Sequence, residues 1–210
     1  MVRKDIQDFI KTIPDNVTLV AATKYIDSED MLELYKNGIN NFGENRVDSF
    51  LDKYEKLKDI KDIKWHFIGH LQRNKAKLII NKIDYLHSLD SLELAYIISK
   101  NRTTPLKVFV EVSINLEETK NGVPFYETEK FVSELRQISS IEICGLMMMA
   151  IKGSDDTQTQ FRKLRELRDN IEQNLNMRIP YLSMGMSDDY KEAIKEGATH
   201  IRLGRILYTN

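Results

Sequence analysis

Short apolar or β-branched runs alternate along this 210-residue chain with longer charged stretches. The runs are VTLVAAT (17–23), INNFG (39–43), IKWHFIG (63–69), IDYLHSL (83–89), LKVFVEVSI (106–114), IEICGLMMM (141–149), IPYLSMG (179–185) and THIRLG (199–204). Their lengths and β-branched content predict eight strands. The charged stretches carry helical spacing. Met31, Leu34 and Tyr35 share a face after Ser28, a predicted N-cap. Phe50, Leu51, Tyr54 and Leu57 repeat the pattern. Leu92, Ala95, Tyr96 and Ser99 follow Asp90, and Phe131 and Leu135 follow Thr128. Phe161, Leu164, Leu167, Ile171 and Leu175 mark the longest helix. Ser187 leads into DDYKEAIKEG, with Gly197 placed to stop that helix at C′.

Helices thus follow at least seven of the eight runs, which predicts a parallel sheet covered by helices. An open doubly wound sheet satisfies the alternation, but eight repeats favour a closed (β/α)8 TIM barrel. At 210 residues it would be compact, since about 250 is typical. No Pro/Gly/Ser-rich linker divides the chain, so a single domain over 1–210 is expected, with an extra N-terminal helix near residues 3–12.

Composition narrows the class. Hydrophobic residues at 41% and charged residues at 30% are ordinary for a soluble globular protein. A net charge of -1 gives no case for nucleic acid or a membrane surface. The lone cysteine, Cys144, excludes an internal disulfide framework and reads as a small core residue. The first residues lack an apolar signal-peptide core, and no apolar stretch has the length of a membrane span. A cytoplasmic protein is expected.

In parallel barrels, chemistry collects where strands end. The first run ends in Thr23-Lys24. The second ends in FGENR, offering Glu44, Asn45 and Arg46. The third runs into WHFIGHLQRNK, and the fifth opens SINLEETKNGV. The last two end in SMGMS and RLGR. SMGMSDD is a strand-to-helix turn whose free N–H groups and helix dipole suit an anion. Gly204 would let the backbone approach a ligand closely. Barrels often bind phosphate between their last two loops. Asp188 and Asp189 would repel it, so both are expected to face solvent. A phosphate site opposite an amine suggests a phosphorylated carbonyl compound held as a Schiff base. The lysine must be neutral to attack, and its ordinary pKa is about 10.4. An inward position at an apolar rim near Arg202 would lower it.

Each residue also has a plainer reading. Lys24 alone would be a solvated strand terminus. Arg202 would be a structural ion-pair residue; it alternates with His200, so one is expected to face the lumen and the other the helices. His66 and His70 lie four apart, but Gly69 breaks any helix and no third ligand follows, so hydrogen-bonded residues below a pocket are expected rather than a metal site. Met147, Met148 and Met149 read as barrel core. Ser183 and Ser187 could be turn and cap residues, and EKLKDIKDIK a solvated stretch.

Taken together, LVAATKY, FGENRV, WHFIGHLQRNK, SINLEETKNGV, GLMMMA and LSMGMSDDYKEAIKEGATHIRLGRILY resemble the YggS/PROSC family of pyridoxal 5′-phosphate (PLP) binding proteins. These are similar to the barrel domain of bacterial alanine racemase without its second domain. The resemblance runs from about Val17 to Tyr208. It implies Lys24 as the Schiff-base lysine and Arg202 at the pyridine nitrogen. It places the Met186–Ser187 turn, Gly204 and the backbone of Arg205 at the phosphate, and Asn45 near the ring. Family members commonly continue G-T-A-I-F-G, with a threonine hydroxyl at the phosphate. Here GRILYTN puts Arg205 in its place.

An arginine donates and cannot accept the pyridinium proton, so it favours an unprotonated ring and a weaker electron sink. Racemisation also needs acid–base groups on both faces of the α-carbon. Alanine racemase takes the second, a tyrosine, from its partner's extra domain. The resemblance therefore implies a PLP carrier contributing to vitamin B6 homeostasis, with no catalytic residue assigned and no metal. Its expected partners are PLP and apo PLP-dependent enzymes, not nucleic acid or membrane, and a monomer is expected. The alternatives are a PLP-dependent amino-acid racemase, a Schiff-base aldolase using Lys24 on a sugar phosphate, and an interaction module in which PLP is structural.

Overall fold

A computed structural model describes residues 1–114, 121–151, 153 and 156–208. Most of the SINLEETKNGV loop, at 115–120, lies outside the described residues. The elements run α1 (Ile6–Ile10), β1 (Thr18–Ala22), α2 (Ser28–Lys36), β2 (Asn41–Glu44), α3 (Val47–Leu57), β3 (Lys64–Phe67), α4 (Ala76–Ile79), β4 (Tyr85–Leu89) and α5 (Leu92–Asn101). They continue β5 (Leu106–Ser113), β6 (Val123–Pro124), α6 (Thr128–Leu135), β7 (Ile141–Met147), α7 (Thr157–Leu175), β8 (Tyr181–Ser183), α8 (Tyr190–Lys195) and β9 (His200–Leu203).

Eight strands close a parallel ring in the order β1-β2-β3-β4-β5-β7-β8-β9, with β9 returning to β1. The closure is secure at the β1–β9 seam, where Thr18 pairs His200 and Ala21 pairs Leu203. The fold is a (β/α)8 barrel. β6, unexpected from the pattern, is a two-residue addition that pairs Val123 with Val112 at the end of β5.

Local chemistry explains the element ends. α2 is capped one residue earlier than expected: Asp27 Oδ1 accepts from the N–H groups of Glu29 (3.0 Å) and Asp30 (2.9 Å). α1 is shorter than 3–12, because both the N–H and the hydroxyl of Thr12 turn back to the Phe9 carbonyl ahead of Pro14. Gly197 takes φ +88° after Glu196, as a C′ glycine should.

The closed sheet separates two cores. Outside it, helix residues such as Phe50, Ile98, Phe161 and Ile171 are fully buried against the strands. Each such side chain contributes about 1.5–3 kcal/mol. Inside, a layer of rings from β3, β4, β5, β8 and β9 fills the lower lumen. His66 stacks on Tyr85 (4.5 Å) and His87 on Phe109 (4.3 Å), while Tyr181 packs edge-on to His200 (5.0 Å). Cys144 lies beside Phe109 in this inner cluster, and its thiol donates to the Val108 carbonyl. Met147 and Met148 are core, but Met149 is 56% exposed, because β7 has ended and the chain is leaving the mouth. No helix among the described residues is long and apolar enough to cross a membrane.

β7 and β8 approach so closely at Gly145 that an added Cβ would lie 2.1 Å from the Tyr181 carbonyl oxygen. Gly145→Ala should therefore cost at least about 1–3 kcal/mol in a urea denaturation series. An unchanged midpoint would show that the seam has slack.

Candidate functional site

The end of β1 is anchored from outside the barrel. Gly43 faces inward, since a Cβ there would meet Val20 Cγ1 at 3.0 Å and Ile68 Cδ1 at 3.1 Å. Its neighbour Glu44 therefore faces the helices. Glu44 Oε1 accepts from the Thr23 hydroxyl and from Lys53 Nζ, each at 2.5 Å, and Lys53 also donates to the Thr23 carbonyl at 2.6 Å. This buried cluster ties β1, β2 and α3 together immediately before Lys24. Sequence reasoning missed Lys53 here, because a lysine on a charged amphipathic helix gives no sign that it is buried.

Lys24 itself is exposed at the rim, with Nζ 4.8 Å from the centre of the Tyr25 ring. The apolar enclosure expected around it is absent. Ala22, two residues before Lys24, lies beside the end of β9: a Cβ at Gly204 would meet the Ala22 Cβ and carbonyl oxygen at 3.6 Å.

On the neighbouring strand β9, where it pairs with Val20 of β1, Arg202 is only 4% exposed. Its Nη1 donates to Ser183 Oγ (2.6 Å), its Nη2 to the Met148 carbonyl (2.9 Å), and its backbone N–H to the Gly185 carbonyl (2.9 Å). No carboxylate among the described residues lies within ion-pair distance of it. Burial lowers its pKa to about 10, against the opposing charges of Glu111 and Asp189. Two of its five N–H groups are therefore committed, and the rest remain for an acceptor above. His200 and Arg202 both face the lumen, contrary to expectation, because residues two apart on a strand share a face. His66, as expected, is hydrogen-bonded below the pocket, whereas His70 is exposed with Nδ1 3.7 Å from Asp90. Burial pushes His66 and His87 well below the usual imidazole range and His200 down to about 4. Glu111, on β5, is pushed up to about 7 by burial, with Asp90 raising it further and Arg202 opposing.

The turn after β8 departs from expectation in one respect. Gly185 adopts φ +93°, and a Cβ there would lie 2.6 Å from that of Ala193, so only glycine fits. Asp188 faces solvent, paired with Arg205 at 2.5 Å. Asp189 does not: it is half-buried, and its Oδ1 accepts the Met186 N–H at 2.6 Å. A carboxylate at the start of a helix competes for the same N–H groups an anion would use, and here it takes one. α8 has only six residues, so its dipole adds little. What remains for an anion is more local. Ser187 Oγ accepts from the Gly204 N–H (3.3 Å), leaving its own O–H to donate. The N–H groups of Ser187 and Arg205 have no acceptor among the described residues. A Cβ at Gly204 would meet protein atoms only at 3.6 Å, so no protein neighbour demands glycine there. Asn45 Oδ1, at the end of β2, is buried without a hydrogen-bond partner among the described residues.

The site thus gathers Lys24, Asn45, Met186, Ser187, Arg202, Gly204 and Arg205 onto the C-terminal mouth of one barrel. The Arg205 guanidinium stands on the outer surface with Asp188, so only its backbone is placed for a ligand in the mouth.

Comparison with known proteins bears on this arrangement. The family model of the alanine racemase N-terminal domain matches residues 2–210. A pyridoxal phosphate homeostasis protein from Aquifex aeolicus (strain VF5) is 41% identical over 195 residues, covering 90% of this chain and 85% of that protein. The structure of PipY from Synechococcus elongatus PCC7942 without PLP superposes with a TM-score of 0.92 at 31% identity, covering all of both chains. PipY with PLP bound superposes with a TM-score of 0.89 at 32% identity, covering 97% of this chain and 100% of that one.

Two expectations follow from the geometry. Lys53→Ala would strand the buried Glu44 carboxylate and should cost about 3–5 kcal/mol in chemical denaturation; a cost below about 1 kcal/mol would show that water replaces the amine. Stability should also fall as pH drops from 6.5 toward 4. Over that window His66, His87 and His200 stay neutral when folded but take up protons when unfolded, so acid favours the unfolded chain. Glu111, raised to about 7, and Asp189, raised by its burial, work in the opposite sense, two carboxyls against three imidazoles. A pH-independent midpoint in that window would contradict the burial of the histidines.

Proposed function

The chain belongs to the alanine racemase N-terminal domain family and, within it, to the YggS/PROSC group of pyridoxal phosphate homeostasis proteins, and on that premise we propose that it binds PLP at the barrel mouth and takes part in PLP homeostasis. The observation that carries this reading is the buried Arg202 guanidinium, paired with no carboxylate among the described residues and with N–H groups to spare. It suits the lone pair of an unprotonated pyridine nitrogen. Lys24 would hold the aldehyde carbon covalently, and the Ser187 hydroxyl with the N–H groups of Ser187 and Arg205 would take the phosphate. Asn45 would stand beside the ring with an acceptor to satisfy. Met186 and Gly204 shape the backbone against the ligand.

When bound, PLP supplies an electrophilic carbon and an electron sink. Arg202 would keep that sink weak, because a guanidinium at the ring nitrogen could only donate to it and could not accept a proton from it. Lys24 sits at an exposed rim, where water is not excluded and carbanion chemistry is disfavoured. Both features suit a holder of PLP better than an enzyme. An amino-acid racemase is the second reading; Glu111, whose buried carboxyl on β5 is pushed up to about 7, would be its added acid–base group. The whole of residues 1–210 acts in this reading as one PLP-binding domain. It works as a cytoplasmic monomer that yields its cofactor to apo PLP-dependent enzymes.

Borohydride reduction of the PLP-loaded protein, followed by peptide mass mapping, should place the pyridoxyl group on Lys24, and Lys24→Ala should lose it. Label on another lysine would overturn the site. Single-enantiomer amino acids incubated with the loaded protein should stay enantiopure by chiral chromatography. Turnover at about 1 per second or faster would establish the racemase instead.

A further inference from the structure

Below Arg202 a line of hydrogen bonds crosses the lumen from β9 to β2. Arg202 Nη1 lies 2.6 Å from Ser183 Oγ, which lies 2.8 Å from His87 Nδ1. His87 Nε2 lies 2.9 Å from His66 Nδ1, and His66 Nε2 lies 2.9 Å from Asn41 Oδ1. Both ends of this line have a fixed role. Arginine can only donate. The Asn41 oxygen can only accept, and the amide is oriented by its own Nδ2, which donates to Asn40 Oδ1 at 2.9 Å.

With neutral imidazoles, those ends admit one assignment. His66 carries its proton on Nε2 and gives it to Asn41, so its Nδ1 must accept. His87 Nε2–H fills that acceptor, so His87 Nδ1 must accept in turn. The Ser183 O–H points to His87, and the Ser183 lone pair takes the Arg202 N–H. Every bond then points the same way, each donor is used once, and no buried ring nitrogen is left over. Successive bonds of one polarity strengthen one another in a low-dielectric interior. Burial pushes both imidazoles well below the usual range, which keeps them neutral.

We propose that Ser183, His87 and His66 are positioning residues: a one-directional hydrogen-bond chain, closed by Asn41, that fixes the Arg202 guanidinium and through it the electronic state of the cofactor's ring nitrogen. The chain itself stands on the ligand-free geometry; its effect on the cofactor rests on the PLP reading above. A serine oxygen polarised by a histidine is a stronger acceptor than a free hydroxyl. The guanidinium is therefore held without a carboxylate, which would have weakened its remaining N–H groups toward a ring nitrogen.

The test has two independent arms. In the ligand-free protein at pH 7, residue-assigned 15N NMR of the imidazoles should show His66 and His87 both neutral and both Nε2–H. An Nδ1–H tautomer or an imidazolium at either residue would overturn the chain, whatever the protein binds. In the second arm, Ser183→Ala should move the His87 Nδ1 resonance, shift the visible absorption maximum of the PLP-loaded protein, and weaken PLP binding about tenfold. Ser183→Thr, which keeps the hydroxyl, should restore the maximum. An unmoved maximum in Ser183→Ala with PLP bound would overturn the link to the ring. A wild-type protein that binds no PLP would refute the reading of the site while leaving the tautomer arm to decide the chain.

Discussion

A guanidinium buried in a barrel lumen is costly unless its donors are met, and the effective penalty for an unmet charge is several kcal/mol. Arg202 meets the cost with two neutral acceptors, a serine hydroxyl and the Met148 carbonyl, rather than with a carboxylate. That choice constrains the rest of the lumen. Ser183 must face inward beneath it, β7 must end where Met148 can turn its carbonyl in, and Glu111 must stand near enough to temper the charge without pairing. The imidazoles below must stay neutral, because a further cation would act directly against Arg202.

Lys24 and Arg202, on neighbouring strands of the ring, are set differently. On the Arg202 side, the guanidinium that would meet a ligand is buried and doubly held. On the Lys24 side, the backbone is held up to Thr23 by the Glu44–Lys53 pair, and the Lys24 amine then stands in solvent. In the proposed binding mode, a site with a rigid floor and an open rim would retain its ligand by the ring and the phosphate while leaving the covalent bond accessible to exchange. Asp189 adds to this balance. It occupies an N–H of the turn after β8 and so would limit how tightly an anion is gripped there. Arg205, whose guanidinium pairs outward with Asp188, does not make up the difference.

Much of this was legible in the sequence, for physical reasons. Short apolar runs separated by helical stretches forced a parallel sheet, and eight of them favoured closure. Strand ends such as Thr23-Lys24 and RLGR were readable because barrels concentrate chemistry there. Four placements were not read from the sequence. Lys53 was invisible because burial of a helix lysine depends on which neighbour, here Glu44, the fold turns outward. The relation of His200 to Arg202 was misread, although their spacing of two already placed them on one face. The role of Asp189 depended on a turn geometry, with Gly185 at positive φ, that brings its carboxylate back onto Met186. The burial of Met148 and exposure of Met149 likewise turned on where β7 stops, a boundary that periodicity locates only to within a residue or two.

The most direct measurement is a crystal structure of the protein grown with PLP. The account requires continuous density from Lys24 Nζ to the cofactor's aldehyde carbon, the pyridine nitrogen within hydrogen-bond reach of Arg202, and the phosphate on Ser187 and the backbone of Gly204–Arg205. A cofactor bound through another lysine, or turned so that a carboxylate faces its ring nitrogen, would contradict it.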